Sequence, residues 1–234
     1  TRPLGVSAVS NPVAAGGSAE PETRDNARRS APAAVLTLGR VVSLQDHGDY
    51  SRTFAGTAKA QATAIWRGEQ YVVHVTVASS TGARLGGAPT LANLRAALDG
   101  IRDLGTEVRV ADYDPRPFNL TAGLTVDPRY EFEALRQAAT AALLARFGFA
   151  ARNLGQPITA AEIVAVLSAV PGVIAVDLDV LEYSVEDPEN GSAVTQPRQV
   201  LVARRARWSD TLRAFLPAQL LSVDGLQINL YEKS

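Results

Sequence analysis

His47 and His74 are the only imidazoles of the chain, and no cysteine is present. A tetrahedral metal site needs several nitrogen or thiolate ligands at short spacing, and neither histidine has a second His or Cys so placed. Each is expected as a surface or sheet-face residue: His74 alternates with the apolar face of a strand, and His47 lies beside Asp46 and Asp49 on a helix. Asp177 and Asp179 could form the carboxylate pair of a hydrolase, because side chains two apart on a strand share a face at about 7 Å. The plainer expectation for them is a solvated strand face. Asp112, Asp114 and Arg116 gather around Pro115 and Pro117, the composition of a turn between two strands. Arg204, Arg205 and Arg207 beside Trp208 make a basic cluster with an adjacent aromatic ring, which could meet a phosphate, a stacked base or a protein partner. Gly16-Gly17-Ser18 follows no strand and precedes no Gly-Lys-Ser/Thr, so it is not a phosphate loop. No Gly-x-Ser-x-Gly elbow marks an activated serine. The expectation is a protein with no catalytic, cofactor-binding or metal-binding residues.

The elements that hold these side chains follow from local pattern. Residues 1–22, rich in Gly and Pro, read as an extended connector, and Arg24, Arg28 and Arg29 alternate with Glu20, Glu22 and Asp25 as a short salt-bridged helix requires. Ser43-Leu44-Gln45-Asp46 resembles a capping box and predicts a helix over 43–53. Strands are expected over 59–66 and 71–78, joined by a hairpin loop, with Tyr71, Val73, Val75 and Val77 on one face. Thr90 is the expected N-cap of a helix carrying Leu91, Leu94, Leu98 and Ile101, which Gly105 ends, and 107–112 is a further strand. Strict alternation places Phe118, Leu120, Ala122, Leu124 and Val126 on the buried face of a strand. Asp127-Pro128 then reads as the cap and first turn of a helix with an apolar stripe of Phe132, Leu135, Ala139, Leu143 and Phe147. Thr159-Ala160-Ala161-Glu162 is a second capping box, and Pro171-Gly172 turns the chain into a strand over 173–181. An acidic loop over 186–196 precedes a terminal hairpin of 220–223 and 226–231 turning at Asp224-Gly225.

The order of elements predicts an α+β protein: two small αβ-sandwich, ferredoxin-like modules over 41–115 and 116–185, an N-terminal connector over 1–40 and a loop with C-terminal β-hairpin tail over 186–234. A chain of 234 residues with 46% hydrophobic content can fill such cores. Its 23 basic and 24 acidic residues leave a net charge of -1, which gives no electrostatic reason to expect nucleic acid or an anionic membrane as partner. Apolar runs fall far short of the roughly 20 residues that span a bilayer. Without an initiator Met or a signal-type stretch, the chain reads as a piece of a longer one.

Asn11-Pro12-Val13-Ala14-Ala15-Gly16-Gly17-Ser18, Ala27-Arg28-Arg29 with Ala31-Pro32, and Arg40-Val41-Val42-Ser43-Leu44-Gln45-Asp46 occur in the order seen in the baseplate J-like family, which this sequence resembles. Gly56-Thr57-Ala58-Lys59-Ala60 and Pro171-Gly172-Val173 are similar to later strand entries of that family, so the resemblance covers roughly residues 5–181. His47 stands where the family usually has an aromatic residue. The resemblance implies a non-enzymatic wedge protein of the baseplate in a contractile phage tail or phage-tail-like injection system, assembled in the bacterial cytoplasm. Its implied partners are other wedge subunits and copies or paralogues of itself in a ring, and indirectly sheath, tube and spike. No nucleic acid, small-molecule substrate or cofactor is expected, and a preceding N-terminal region is implied. A tip-proximal adhesion or ligand-binding module, with loops 79–89 and 186–196 as contact surface, is the alternative, and a carboxylate-dependent hydrolase is a further one.

Overall fold

The computed structural model describes residues 41–68, 70–86, 89–185 and 198–233, together with Arg24. The connector, the charged helix expected around Arg24 and the acidic loop over 186–196 lie outside the described residues.

The first unit begins with α1 (Leu44–Thr53), started by the capping box read from the sequence. Ser43 Oγ accepts the Asp46 N–H at 3.0 Å, and the Asp46 carboxylate accepts the Ser43 N–H at 2.8 Å. That backbone hydrogen bond is the main cause holding the Asp46 carboxyl below its usual pKa. β1 (Lys59–Trp66) and β2 (Tyr71–Ala78) pair antiparallel, with Trp66 opposite Tyr71 where the short loop closes them. The chain then crosses over through α2 (Pro89–Ile101) and returns as β3 (Glu107–Asp112), parallel to β2. Val73, Val75, Val77 and Val108 turn to the helices and meet Val41, Leu94 and Leu98 in one core. α2 starts at Pro89, so Thr90 lies in its first turn, and the helix ends at Ile101, ahead of the turn that holds Gly105.

The second unit is built on β4 (Asp114–Val126), whose alternation is as expected: Phe118, Leu120, Ala122 and Leu124 are buried. They face the stripe Leu135, Ala139, Leu143 and Phe147 of α3 (Phe132–Phe147), and Ile163 and Leu167 of α4 (Ala160–Ser168). Thr159 and Glu162 form the second capping box on α4. The cap of α3, however, is Glu131, whose carboxylate accepts the Ala134 N–H at 2.8 Å. Asp127 and Pro128 form a separate turn instead, because the Asp127 carboxylate is held by the Arg129 guanidinium and the Tyr130 N–H donates to the Asp127 carbonyl. β6 (Val173–Tyr183) pairs antiparallel with β4, with irregularities at Thr121/Ala122 and Thr125/Val126; the short β5 (Ile158–Thr159) stands apart from this sheet.

The segment from Asp114 to Pro117 is strand, not the expected turn. The Asp114 N–H donates to the Ala218 carbonyl at 3.0 Å, so the missing N–H groups of Pro115 and Pro117 point to the opposite side. Pairing with β6 starts only at Phe118, and proline costs no ladder hydrogen bond there.

The expected terminal hairpin is also corrected. β7 (Val200–Leu201) pairs with β5, and β8 (Arg207–Ser209) and β9 (Ala214–Leu216) form a small hairpin. β10 (Gln219–Ser222) and β11 (Ile228–Glu232) do not pair with each other: both run parallel to β4, β10 along 114–117 and β11 along 120–124. Asp224-Gly225 opens a 3-10 turn, Gly225–Gln227, that offsets one strand from the other. The α+β class holds, while a three-stranded sheet ordered β1-β2-β3 and a second sheet centred on β4 do not bear out the ferredoxin-like detail.

Between the units lies a third apolar cluster of Ile65, Ala78, Tyr113, Leu154, Ala206, Ala218 and Leu220, with Phe149, Trp208 and Phe215 packed against it. The C-terminal segment thus covers the face of the first sheet that the helices leave open.

Candidate functional site

Strand alternation decides what that second face presents. With Val73, Val75 and Val77 turned to the helices, His74 and Thr76 point the other way, and His74 stands in register with Arg109 on β3. The β8–β9 hairpin closes over them. Phe215 lies nearly parallel to the His74 ring, with centroids 6.2 Å apart, and Trp208 meets Phe215 edge-on at 4.9 Å. Arg67, from the β1–β2 loop, reaches 5.4 Å from the Trp208 ring, and Arg109 lies 4.6 Å from the Phe215 centroid. Cations at these distances are attracted to the negative ring faces. Arg213 enters from the hairpin loop with a positive φ of 50°. These six residues line a cleft of about 430 Å³.

His74 is 2% exposed. Loss of water, then the Arg109 charge, lowers its pKa from 6.5 to about 4, so the ring is neutral near pH 7. The Ala218 N–H donates to Thr76 Oγ1 at 3.0 Å, and the same Thr76 oxygen lies 3.3 Å from His74 Nδ1. The Arg109 Nε donates to Glu107 at 2.7 Å, and the Trp208 Nε1 donates to Asp210 at 3.0 Å. Arg67 and Arg213 have no carboxylate partner among the described residues. The cleft is therefore rich in cations set between aromatic walls.

The other sequence candidates lie elsewhere. His47 is buried on α1, contrary to the surface expectation, with Nδ1 2.8 Å from the Ser43 carbonyl. His74 is a sheet-face residue as expected, but one covered by the C-terminal segment. Asp177 and Asp179 lie on the solvent-facing side of β6, as expected, where Lys233 donates to Asp177 and the Tyr231 hydroxyl donates to Asp179 at 2.7 Å. Tyr231 reaches across Gly123, where any Cβ would stand 3.0 Å from its ring. Asp112 accepts the Leu85 N–H at 2.6 Å and Arg84 Nε at 3.0 Å, so it ties down the loop after β2. Asp114 pairs with Arg116 at 2.8 Å and accepts from Gln219 on β10. The Arg204 backbone exchanges hydrogen bonds with Gln219, its N–H donating to Oε1 and its carbonyl accepting the Gln219 N–H, and Arg205 packs by Gly155. Only Trp208 of that cluster lines the cleft. Among the described residues no group of three or more His, Cys, Asp or Glu could hold a metal ion, and no helix is long and apolar enough to cross a membrane.

Sequence reasoning did not bring Arg67, Arg109, Arg213 and Phe215 to His74. The only local signal was the His74–Thr76 interruption of a valine run, since the pairing of β2 with β3 and the return of β8–β9 are non-local.

Residues 39–111 match the model of the Baseplate J-like central domain. Among solved structures, the chain is similar to one from "Cryo-EM structure of the anti-feeding prophage (AFP) baseplate, 6-fold symmetrised", at 14% identity and a TM-score of 0.57. That likeness covers 87% of this chain and 42% of the other, so the chain spans less than half of that protein's length, and at this identity the likeness is one of fold. No curated protein matches the sequence. The family resemblance is borne out over residues 39–111, which hold the motifs at Arg40–Asp46 and Gly56–Ala60.

Proposed function

From the premise that residues 39–111 form a baseplate J-like central domain, we propose that this chain is a structural baseplate component of a contractile phage tail or phage-tail-like particle. The observation that carries the reading is the agreement of two independent likenesses: a sequence model over the first unit and a baseplate fold over 87% of the chain. Its role is that of a wedge subunit, acting in assembly and triggering through contacts with other wedge subunits and with copies or paralogues of itself, after assembly in the bacterial cytoplasm. Sheath, tube and spike are reached through those neighbours.

The side-chain chemistry supports a binding role over an enzymatic one. The one carboxylate pair considered for hydrolysis is engaged by Lys233 and Tyr231 on the outer face of the sheet, whereas general acid–base work requires carboxyls poised on a bound substrate. The adhesion reading gains nothing from the loop after β2, which Asp112 and Tyr113 fasten to the sheet through Leu85, Arg84 and Gly82. Ring interfaces that each contribute modestly can shift together, which is what a plate that holds and then releases requires.

An affinity tag on the chain in its native host tests this. Particles purified through sheath and tube proteins should contain the tagged chain, and its deletion should leave sheath and tube unassembled. Complete particles without the chain would overturn the reading.

A further inference from the structure

The aromatic-walled cationic cleft is not required by the fold. Arg213 holds a left-handed backbone at φ 50°, which L side chains rarely adopt, and its side chain lines the cleft with no partner from this chain among the described residues. Backbone strain of this kind collects where a side chain has a task. Arg67 is likewise held against Trp208 and Phe215, with no carboxylate partner among the described residues, and the His74 ring lines the same cleft. We propose that the cleft between the first sheet and the β8–β9 hairpin docks an acidic segment of another polypeptide, with its carboxylates on Arg67 and Arg213 and an apolar neighbour against Trp208 and Phe215.

Charge complementarity selects the occupant. Glu107 already engages Arg109, and Asp210 accepts the Trp208 Nε1–H. Arg67 and Arg213, with no carboxylate partner among the described residues, fit one or two acidic side chains. A continuous phosphate backbone needs a longer basic track than two such guanidinium groups make, and the net charge of -1 supplies no long-range attraction for it. Arg and Trp side chains around a recess are also the residue types that dominate protein–protein contacts. The docked segment deepens the proposed subunit role and rests on it for the identity of the partner.

Trp208 supplies the readout. With Trp66, exposed on β1, changed to Phe, Trp208 is the remaining tryptophan of the full chain. A short blocked peptide of alternating leucine and glutamate, titrated at low salt, should change its fluorescence saturably. Losing a paired charge should weaken binding about tenfold or more in Arg67→Ala and in Arg213→Gly, while Arg213→Lys retains most of it. Arg213→Gly suits the left-handed backbone, so it keeps the fold, as a circular-dichroism melt will verify. The same peptide with lysine for glutamate should leave the signal unchanged. No saturable response, or a response indifferent to Arg213→Gly, would overturn the proposal, and so would a short oligothymidylate that outcompetes the acidic peptide. The titration uses the isolated chain and the co-purification uses particles, so a failure of one is distinct from a failure of the other.

Discussion

At His74 a titratable ring has been moved almost wholly out of water and set beside a permanent positive charge. Folding therefore keeps the ring neutral. In the unfolded chain it binds a proton below its usual 6.5, whereas in the fold it does so only near 4. Above pH 6.5 both states are neutral and the stability is complete. As the pH falls from 6.5 towards 4 the unfolded state binds the extra proton, so stability declines, and below about 4 the decline stops. Over that window the loss amounts to about 3 kcal/mol. Urea unfolding at pH 5 to 7 should give a falling free energy in the native chain and a nearly flat one in His74→Leu. An equal slope in both proteins would place the pH dependence elsewhere. Residue-level chemistry of this sort was not legible in the sequence, because it depends on which strand lies next to β2 and on what covers it.

Helix starts are a different matter, since their signals sit within four residues. The Ser43 and Thr159 boxes were readable because the capping side chain, the orphan amides and the returning carboxylate are all local. Thr159→Ala should lower the stability of the chain by about 1 kcal/mol in urea unfolding, whereas Thr159→Ser, which keeps the hydroxyl, should cost much less. Equal losses would mean that the methyl group packed against the core, not the cap, is what matters. The start of α3 was misread for a local reason too. Asp127-Pro128 and Glu131 offer competing caps, and the Arg129 guanidinium takes the Asp127 carboxylate out of the competition. β4 was legible from Phe118 to Val126, where one face is buried against α3 and α4, and illegible from Asp114 to Pro117. There two prolines read as turn chemistry, and only the direction of the Asp114 N–H explains their tolerance. The parallel course of β10 and β11 was hidden for the same reason of distance: their partner lies about a hundred residues earlier, while Asp224-Gly225 is a local hairpin signal.

Across the whole molecule the C-terminal segment ties the two units together. On β10, neighbouring residues feed different clusters: Leu220 joins the one between the units, and Leu221 joins the core of the second. Leu201, Ala203, Val223 and Leu230 complete that second core, while Ala206 and Ala218 complete the cluster against the first sheet. Hydrogen bonds follow the same plan, with the Ala218 N–H on Thr76 of β2 and the Ala218 carbonyl on Asp114 of β4. Units that share a strand's worth of buried side chains cannot unfold separately without exposing each other's apolar surface. Calorimetry of the full chain should therefore give one transition, with equal calorimetric and van't Hoff enthalpies. Leu220→Ala, at a fully buried position, should cost about 2–5 kcal/mol and move that transition down without splitting it. A chain ending at residue 198 loses β7 to β11 and should show neither a cooperative transition nor near-ultraviolet dichroism. Two resolved transitions in the full chain, or a folded truncated one, would mean that each unit closes its own core. The cleft depends on the same tie, because its sheet wall comes from the first unit and its aromatic lid from the C-terminal segment. In Leu220→Ala the Trp208 fluorescence change should therefore move down together with the calorimetric transition.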